Sequence, residues 1–138
     1  MIKHTEINVG DWVRVNDVDY PMPLIVSEIV KLGDSYYLRL GRDDDATISL
    51  ECEIGKVLPI HLTEPILMKN DFDKVDDNTF IFYDDNMNNV IVSLFDPLHH
   101  FPVADISAGM VTVSQVPVAF VHELQREVKR KIKIKIRL

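Results

Sequence analysis

Residues 79–95 read TFIFYDDNMNNVIVSLF, and this stretch decides how the second half of the chain folds. Two apolar runs rich in aromatic and β-branched residues, Thr79–Tyr83 and Val90–Phe95, are typical of strands. Between them lie six residues, of which five are Asp or Asn. These residue types tolerate left-handed backbone angles, so they suit a tight turn. The stretch therefore predicts an antiparallel β-hairpin.

Helix patterns lie on both sides of this hairpin. Upstream, Thr63 is placed to cap a short helix over residues 64–70, with proline in its first turn. Downstream, residues 110–113 predict a third strand, and Ser114 is placed to cap a long helix from about Gln115 to Lys131. Apolar residues at helical spacing define one stripe of that long helix: Val116, Phe120, Val121, Leu124 and Val128.

The chain ends in KRKIKIKIRL, residues 129–138. Lys129, Arg130 and Lys131 complement the negative end of the long helix. From Ile132 to Leu138, aliphatic and basic residues alternate strictly, which is the period of a strand with one buried face. The pattern predicts a C-terminal strand that adds to the sheet of the second module, with its cations in solvent and guarding an edge.

The first 59 residues have a different rhythm, with short apolar runs separated by Gly, Asp and Pro. Five strands are predicted, over residues 12–15, 24–30, 36–40, 47–50 and 56–58. This spacing resembles an SH3-like small β-barrel. The boundary lies between Pro59 and Thr63, where helix signals begin. The fold class is therefore α+β and β-rich, with a barrel module (1–59) followed by a small α+β module (60–138).

Charge is distributed unevenly along the chain. The net charge of the 138 residues is −7, yet residues 126–138 hold seven basic groups and one acidic group. Only this last segment can attract phosphate, because the body is strongly acidic. No apolar run reaches the roughly 20 residues of a membrane span, and the N-terminus lacks the apolar core of a signal peptide. With a single cysteine, these features predict a cytoplasmic protein.

No set of residues indicates catalysis, a metal site or a cofactor. His99 and His100 form the most metal-like cluster, but no further ligand stands at a recognised spacing. Residues 43–45 are three aspartates without the spacing of a calcium loop, which favours a solvated turn. Cys52 stands between two glutamates, which raise a thiol pKa, so a structural role is favoured. A small hydrolase using His99, His100 or His122 stays formally open.

Five residues are candidates for contacts with a partner protein. Trp12, Tyr36 and Tyr37 form either an aromatic groove or part of the core; the two adjacent tyrosines point to opposite faces, so only one is core. His122 and Gln125 lie on the helix flank away from the apolar stripe. They touch a partner, or pack internally and bond to the backbone. Candidate contacts for an anionic ligand are Lys129, Arg130, Lys133, Lys135 and Arg137.

Two motifs resemble a family of small proteins. Residues 58–74, LPIHLTEPILMKNDFDK, look like a signature of the form IPLTEEILLKNGFEK, and residues 121–125, VHELQ, look like its companion. Both recur in small phage, prophage and mobile-element proteins of Bacteroidetes-type bacteria. Here Asp71 replaces the usual glycine and Pro65 a glutamate, and the chain lacks the family's later TGKEL-like segment. The resemblance covers roughly residues 56–128 and implies a genomic setting, with no catalytic residues to transfer.

These observations predict a non-enzymatic accessory protein of a phage or mobile element that acts through protein–protein contacts. The alternative is a nucleic-acid-binding protein that uses its basic segment, residues 126–138. A homodimer paired through the C-terminal strand is also predicted, because an outer strand can pair with a second copy.

Overall fold

The computed structural model describes residues 2–95, 101–108, 111–132 and 135–138. The chain divides into two compact units, Met1–Ile60 and His61–Leu138. The sequence placed this division between residues 59 and 60. Each unit contains its own antiparallel five-stranded sheet, so the architecture is α+β and β-rich.

The first unit is a meander whose first strand also pairs with a short fifth strand. Its sheet has the order β4-β3-β2-β1-β5, and β4 and β5 are therefore its two edges. A 3-10 turn, Ile54–Lys56, connects β4 to β5. The strands are β1 (Trp12–Val15), β2 (Leu24–Leu32), β3 (Ser35–Gly41), β4 (Ser49–Glu53) and β5 (Val57–Leu58).

Strands β3 and β4 alternate inward apolar and outward polar residues, and β1 and the start of β2 are apolar and mostly buried. Val13, Leu24 and Leu40 are fully buried in one cluster with neighbouring aliphatic side chains. Gly33 turns β2 into β3 with a φ of +62°, an angle that costs glycine nothing. The N-terminal segment also belongs to this core, because Ile2 and Ile7 are buried within it.

The second unit places two helices with a sheet of order β10-β9-β8-β7-β6. The strands are β6 (Asp73–Lys74), β7 (Thr79–Tyr83), β8 (Asn89–Ser93), β9 (Val103–Ala108) and β10 (Val111–Pro117). The helices are α1 (Glu64–Lys69) and α2 (Val121–Lys131). Phe80, Val92 and Ile106 line the buried face of the sheet.

The hairpin predicted from residues 79–95 is confirmed. Strand β7 pairs with β8 from Thr79 opposite Ser93 to Tyr83 opposite Asn89. The turn contains Met87 at a φ of +64°. Asp84 holds the turn together, because its carboxylate accepts hydrogen bonds from the backbone N–H groups of Asn86 and Asn88 and from the Asn88 amide.

The long helix is shorter than predicted, because its expected first turns form strand β10. Gln115 pairs with Asp105, and Val116 with Ala104, so neither belongs to a helix. The helix begins at Val121, where the Glu123 carboxylate accepts a hydrogen bond from the Phe120 N–H. Of the predicted stripe, Val121, Leu124 and Val128 are indeed fully buried.

Helix α1 is confirmed within one residue of its predicted end. Thr63 is the N-cap residue, but its side chain makes no capping hydrogen bond. The helix ends through Asp71, which has a left-handed φ of +65°. The Phe72 N–H then bonds to the Leu67 carbonyl, and both side chains are buried, which is the Schellman arrangement of a helix terminus.

The predicted C-terminal strand is wrong for the described residues 132 and 135–138, which carry no strand assignment. The Asn70 side chain makes the backbone hydrogen bonds to Arg137 that a neighbouring strand would otherwise make. Asn70 donates to the Arg137 carbonyl at 2.8 Å and accepts from the Arg137 N–H at 2.6 Å. The predicted alternation of environment still holds, since Ile132 and Ile136 are buried while Lys135 and Arg137 are exposed.

Candidate binding groove

The three candidate aromatic residues lie in different environments. Trp12 is only 3% exposed, and the Arg42 guanidinium lies over its ring at 5.4 Å. Tyr36 is half-buried and stacks on His4 with ring centroids 3.9 Å apart. Tyr37 is 37% exposed and pairs across the strands with Val30. The predicted aromatic groove therefore does not form, and Trp12 belongs to the interior.

Arg42 explains how Trp12 is enclosed. Its guanidinium donates two hydrogen bonds to the Asp44 carboxylate and a third to the Pro23 carbonyl. The hydrogen bond with Asp44 raises the pKa of Arg42 above its ordinary value. Planar guanidinium geometry allows the pairing with Asp44 and the contact with the ring together. This arrangement is structural and leaves no Trp12 surface for a partner.

The two candidate residues of helix α2 are not equivalent. His122 is 3% exposed, and its ring stacks beside Phe120 at 5.9 Å. The flank of helix α2 away from the predicted apolar stripe is therefore also covered at His122. Gln125 is half-buried. Internal packing fits His122 better than contact with a partner.

A groove of about 620 Å³ lies on the first unit. Its volume falls within the range of ligand sites, about 300–1,000 Å³. One wall comes from strand β4, and the other from the end of β1, the 3-10 turn and β5. The lining residues are Val15, Asn16, Asp17, Leu50, Glu51, Cys52, Gly55, Lys56 and Leu58.

The three residues of β4 that line this groove show that it runs along the edge of the strand. Leu50, Glu51 and Cys52 are consecutive, and consecutive side chains of a strand point to opposite faces. A cavity lined by all three therefore runs along the edge of β4. Because β3 pairs with the other side of β4, this is the outer edge of the sheet. The opposite wall includes Leu58 of β5, the other edge strand. We call this feature the seam groove.

The seam groove has an apolar floor and an acidic rim. Val15, Leu50 and Leu58 supply aliphatic surface. The rim carries Asp17 and Glu51, with Lys56 as the cation that lines it. Glu51 pairs with Arg39 at 2.8 Å, and Arg39 also pairs with Glu28 at 3.3 Å. Next to lining residues, Glu53 adds one exposed carboxylate and Arg14 one exposed cation, so the lining carboxylates Asp17 and Glu51 still outnumber the lining cation Lys56.

Cys52 is the only cysteine of the chain, and its thiol lines the seam groove. Burial raises the pKa of this thiol above its ordinary value, and the nearby Lys56 offsets part of the shift. A raised thiol pKa lowers the thiolate fraction at neutral pH, which opposes a nucleophilic role. Cys52 therefore contributes apolar surface to the groove.

The candidate residues for an anionic ligand lie at the end of the second unit. Lys129, Arg130, Lys135 and Arg137 are exposed, and Lys133 lies outside the described residues. Within the described part of the chain, no ion pair involves these four cations. Arg137 is held through its backbone by Asn70, so its guanidinium remains in solvent.

The candidate metal-binding groups gain no support. Among the described residues, no group of three or more His, Cys, Asp or Glu side chains is placed to hold an ion. His99 and His100 lie outside the described residues. In the 43–45 cluster, Asp44 is taken by Arg42, and Asp45 accepts hydrogen bonds from the Thr47 N–H and hydroxyl. The bond with the Thr47 hydroxyl, followed by the bond with the Thr47 N–H, lowers the pKa of Asp45. The Asp45 carboxylate therefore stabilises its own turn.

The seam groove was not found from the sequence, although one signal was present. Alternation in Ser49–Glu53 places Leu50 and Cys52 inward and Glu51 outward, which is typical of any half-buried strand. The groove exists because β4 does not pair with β1 or β5. Local sequence periodicity does not encode the distance between these strands.

No protein-family model matches the chain, and neither the curated proteins nor the solved structures give a match. Within the described residues, neither helix is long and apolar enough to cross a membrane.

Proposed function

We propose that this protein is a non-enzymatic accessory protein that binds a partner protein through the seam groove. The observation that carries the proposal is a concave surface with aliphatic lining residues between β4 and β5, the two edge strands of the first sheet in the described part of the chain. Such edges bind extended segments of other proteins readily. The phage or mobile-element setting is part of the proposal and rests on the resemblance of residues 58–74 and 121–125 alone. A location in the cytoplasm of the bacterial host is proposed with it and rests also on the single cysteine.

The fold of the first unit is proposed to be an SH3-like small barrel with an open seam. Four strands in a meander, a 3-10 turn, and a fifth strand paired with the first support this proposal. In this view the sheet curves until β4 approaches β1 and β5. The seam groove is then the line along which the barrel would close.

Affinity capture from host lysate tests the proposed function. Asn16→Trp fills the groove from an exposed lining position, and Thr5→Trp adds the same side chain at an exposed position outside the groove. A partner captured by the wild-type chain and by Thr5→Trp should be lost with Asn16→Trp. Equal capture by all three chains would contradict a role for the groove.

Nucleic-acid binding through residues 126–138 remains the second candidate. The exposed cations Lys129, Arg130, Lys135 and Arg137 favour it. Replacing these four by Gln should abolish binding, and the wild-type affinity should fall steeply as salt rises, because phosphate contacts release counterions. Negligible wild-type affinity for DNA and RNA at low salt would eliminate this candidate.

Self-association is a further part of the proposal, with the dimer as the expected state. The burial of Ile132 and Ile136 means that the predicted C-terminal strand is not free to mediate it. The edge strands of the two sheets, β4 and β5 in the first and β6 and β10 in the second, are backbone surfaces for pairing with a second copy. Light scattering at high concentration measures the mass, and a monomeric value would remove the dimer.

A further inference from the structure

We propose that the occupant of the seam groove is an extended partner segment, with alternating basic and aliphatic residues, that adds as a strand to the outer edge of β4. This inference rests on the proposed function and names the chemistry of the partner. It specifies three properties of the segment: its backbone conformation, its charge and its side-chain period.

The extended conformation follows from the edge of β4. All five residues of β4 pair with β3. In an antiparallel pair, every second residue directs its backbone N–H and C=O toward the partner strand, so the residues between them direct theirs away from β3. The groove runs along this side, because it is lined by three consecutive residues of the strand. A helix in the groove would leave these groups without backbone partners, whereas a strand satisfies them.

The side-chain period follows from the two sides of the groove. A strand added to β4 directs alternate side chains toward the apolar floor, where Val15, Leu50 and Leu58 lie. The residues between them point the other way, toward the face that carries Glu51. Aliphatic residues at every second position therefore gain burial on the floor.

The positive charge follows from the rim. Two carboxylates, Asp17 and Glu51, line the groove against one lining cation, Lys56. The exposed residues Glu53 and Arg14 lie next to lining residues and balance each other, and Glu51 is paired with Arg39. Lysine or arginine at the positions between the aliphatic residues meets this rim, while an acidic segment is repelled. The same charges disfavour a phosphate backbone, which favours a protein segment over a nucleic acid in this groove.

Binding of a capped, fluorescent eight-residue peptide of alternating lysine and valine tests the inference with the intact chain. Fluorescence anisotropy at low salt should give saturable binding. A peptide of alternating glutamate and valine should not bind, because the rim repels it. A lysine–valine peptide N-methylated at alternate residues should bind about tenfold more weakly or worse, because it loses backbone hydrogen bonds. Equal binding by the N-methylated or the acidic peptide would overturn the inference.

Matched variants place the peptide on the chain. Asp17→Asn and Glu51→Gln remove charge from the rim without changing side-chain size, and together they should weaken binding several-fold. Asp34→Asn together with Asp85→Asn removes two charges at exposed turn positions outside the groove and should leave binding unchanged. An equal effect of the rim and turn variants would show that binding reflects net charge alone, and would overturn the assignment to β4.

Cys52 offers a readout that needs no substitution. Its thiol lines the groove, and no other cysteine competes for a label. Saturating peptide should slow the alkylation of Cys52 at mildly alkaline pH, and an unchanged rate would place the peptide elsewhere and overturn the inference. If Asn16→Trp abolishes partner capture while the peptide fails to bind, the groove is functional and only the partner chemistry proposed here is wrong.

Discussion

At the scale of single residues, Asp71 links the sequence motif to the backbone. Its φ of +65° is the left-handed angle at which helices commonly end on glycine. This chain has aspartate there, and the Schellman bond from the Phe72 N–H to the Leu67 carbonyl forms without glycine.

Replacing Asp71 with glycine should stabilise the chain by about 0.5–1 kcal/mol, because it relieves a left-handed angle that carries a cost for residues with a Cβ. Replacing it with alanine should destabilise the chain, since alanine lacks the local hydrogen bonding that lets aspartate tolerate the angle. Urea denaturation measures both changes. A gain in stability with alanine would contradict the assignment of the cost to this angle.

Asp84 gives the β7–β8 hairpin a dependence on pH. Its hydrogen bonds, first among them the bond from the Asn88 side chain, lower the pKa of the carboxylate below its ordinary value. A lowered folded-state pKa means that the ionised group stabilises the hairpin fully above the unfolded value of about 3.9. This contribution is lost as the pH falls through the folded pKa.

The difference in melting temperature between wild type and Asp84→Asn should therefore be present near pH 6 and shrink below about pH 4. The amide side chain of this variant cannot titrate, so it represents the neutral acceptor. Asp85→Asn, at the next and exposed turn position, controls for the loss of one carboxylate. A difference that grows on acidification would show that the sign is wrong.

At the scale of elements, the C-terminal segment shows what sequence periodicity can and cannot determine. Alternation correctly predicted that Ile132 and Ile136 are buried and that Lys135 and Arg137 are exposed. It did not predict the pairing partner, because the Asn70 side chain supplies both hydrogen bonds that a strand would have made to Arg137. Sequence periodicity therefore predicts which side of a segment is buried, but it does not predict which residues pack against or bond to that segment.

Ile136→Ala should destabilise the chain by about 2–4 kcal/mol, because the side chain is only 2% exposed and its loss leaves a cavity. Lys135→Ala, at the exposed neighbouring position, should change stability by less than about 0.5 kcal/mol. Removal of residues 132–138 should lower the melting temperature further. An unchanged melting temperature after this truncation would contradict a structural role for the segment.

Strand β9 and the end of strand β10 show where sequence reasoning failed and why, whereas the start of β10 matches the strand predicted over residues 110–113. Ala104 and Asp105 belong to residue types that strands disfavour, so β9 was missed. Ala104 is nevertheless fully buried between Val92 and Val116 in the pairing. Val116 also matched the helical stripe by chance. It lies four positions before Phe120, and this spacing places two residues on the same face of either a helix or a strand. Pairing with β9 decided the outcome, and only tertiary structure contains that information.

At the scale of the whole molecule, the two units carry separate cores. Val13 and Leu24 are fully buried in the first unit, and Leu124 and Val128 in the second. The sequence indicated this division through the change from strand signals to helix signals near Pro59. The seam groove could not be found in the same way, since it depends on how far one sheet edge lies from the other.

Leu124→Ala should accelerate amide exchange throughout residues 61–138 and leave protection in residues 2–60 unchanged, because each core stabilises its own unit. Val13→Ala should have the reverse pattern. Hydrogen exchange followed by mass spectrometry measures both. A loss of protection that spreads over the whole chain with either variant would show that the molecule unfolds as one cooperative body.

The exposed cations of the C-terminal segment also bear on how the protein behaves during purification. Its sequence pI of about 5.1 suggests that only an anion exchanger will retain it at neutral pH. Lys129, Arg130, Lys135 and Arg137 nevertheless project into solvent at one end of the chain. A charged resin binds through the local patch that contacts it and not through the net charge. We therefore expect retention on a sulfonate or heparin column in dilute buffer as well. Elution from that column should shift to lower salt when residues 132–138 are removed.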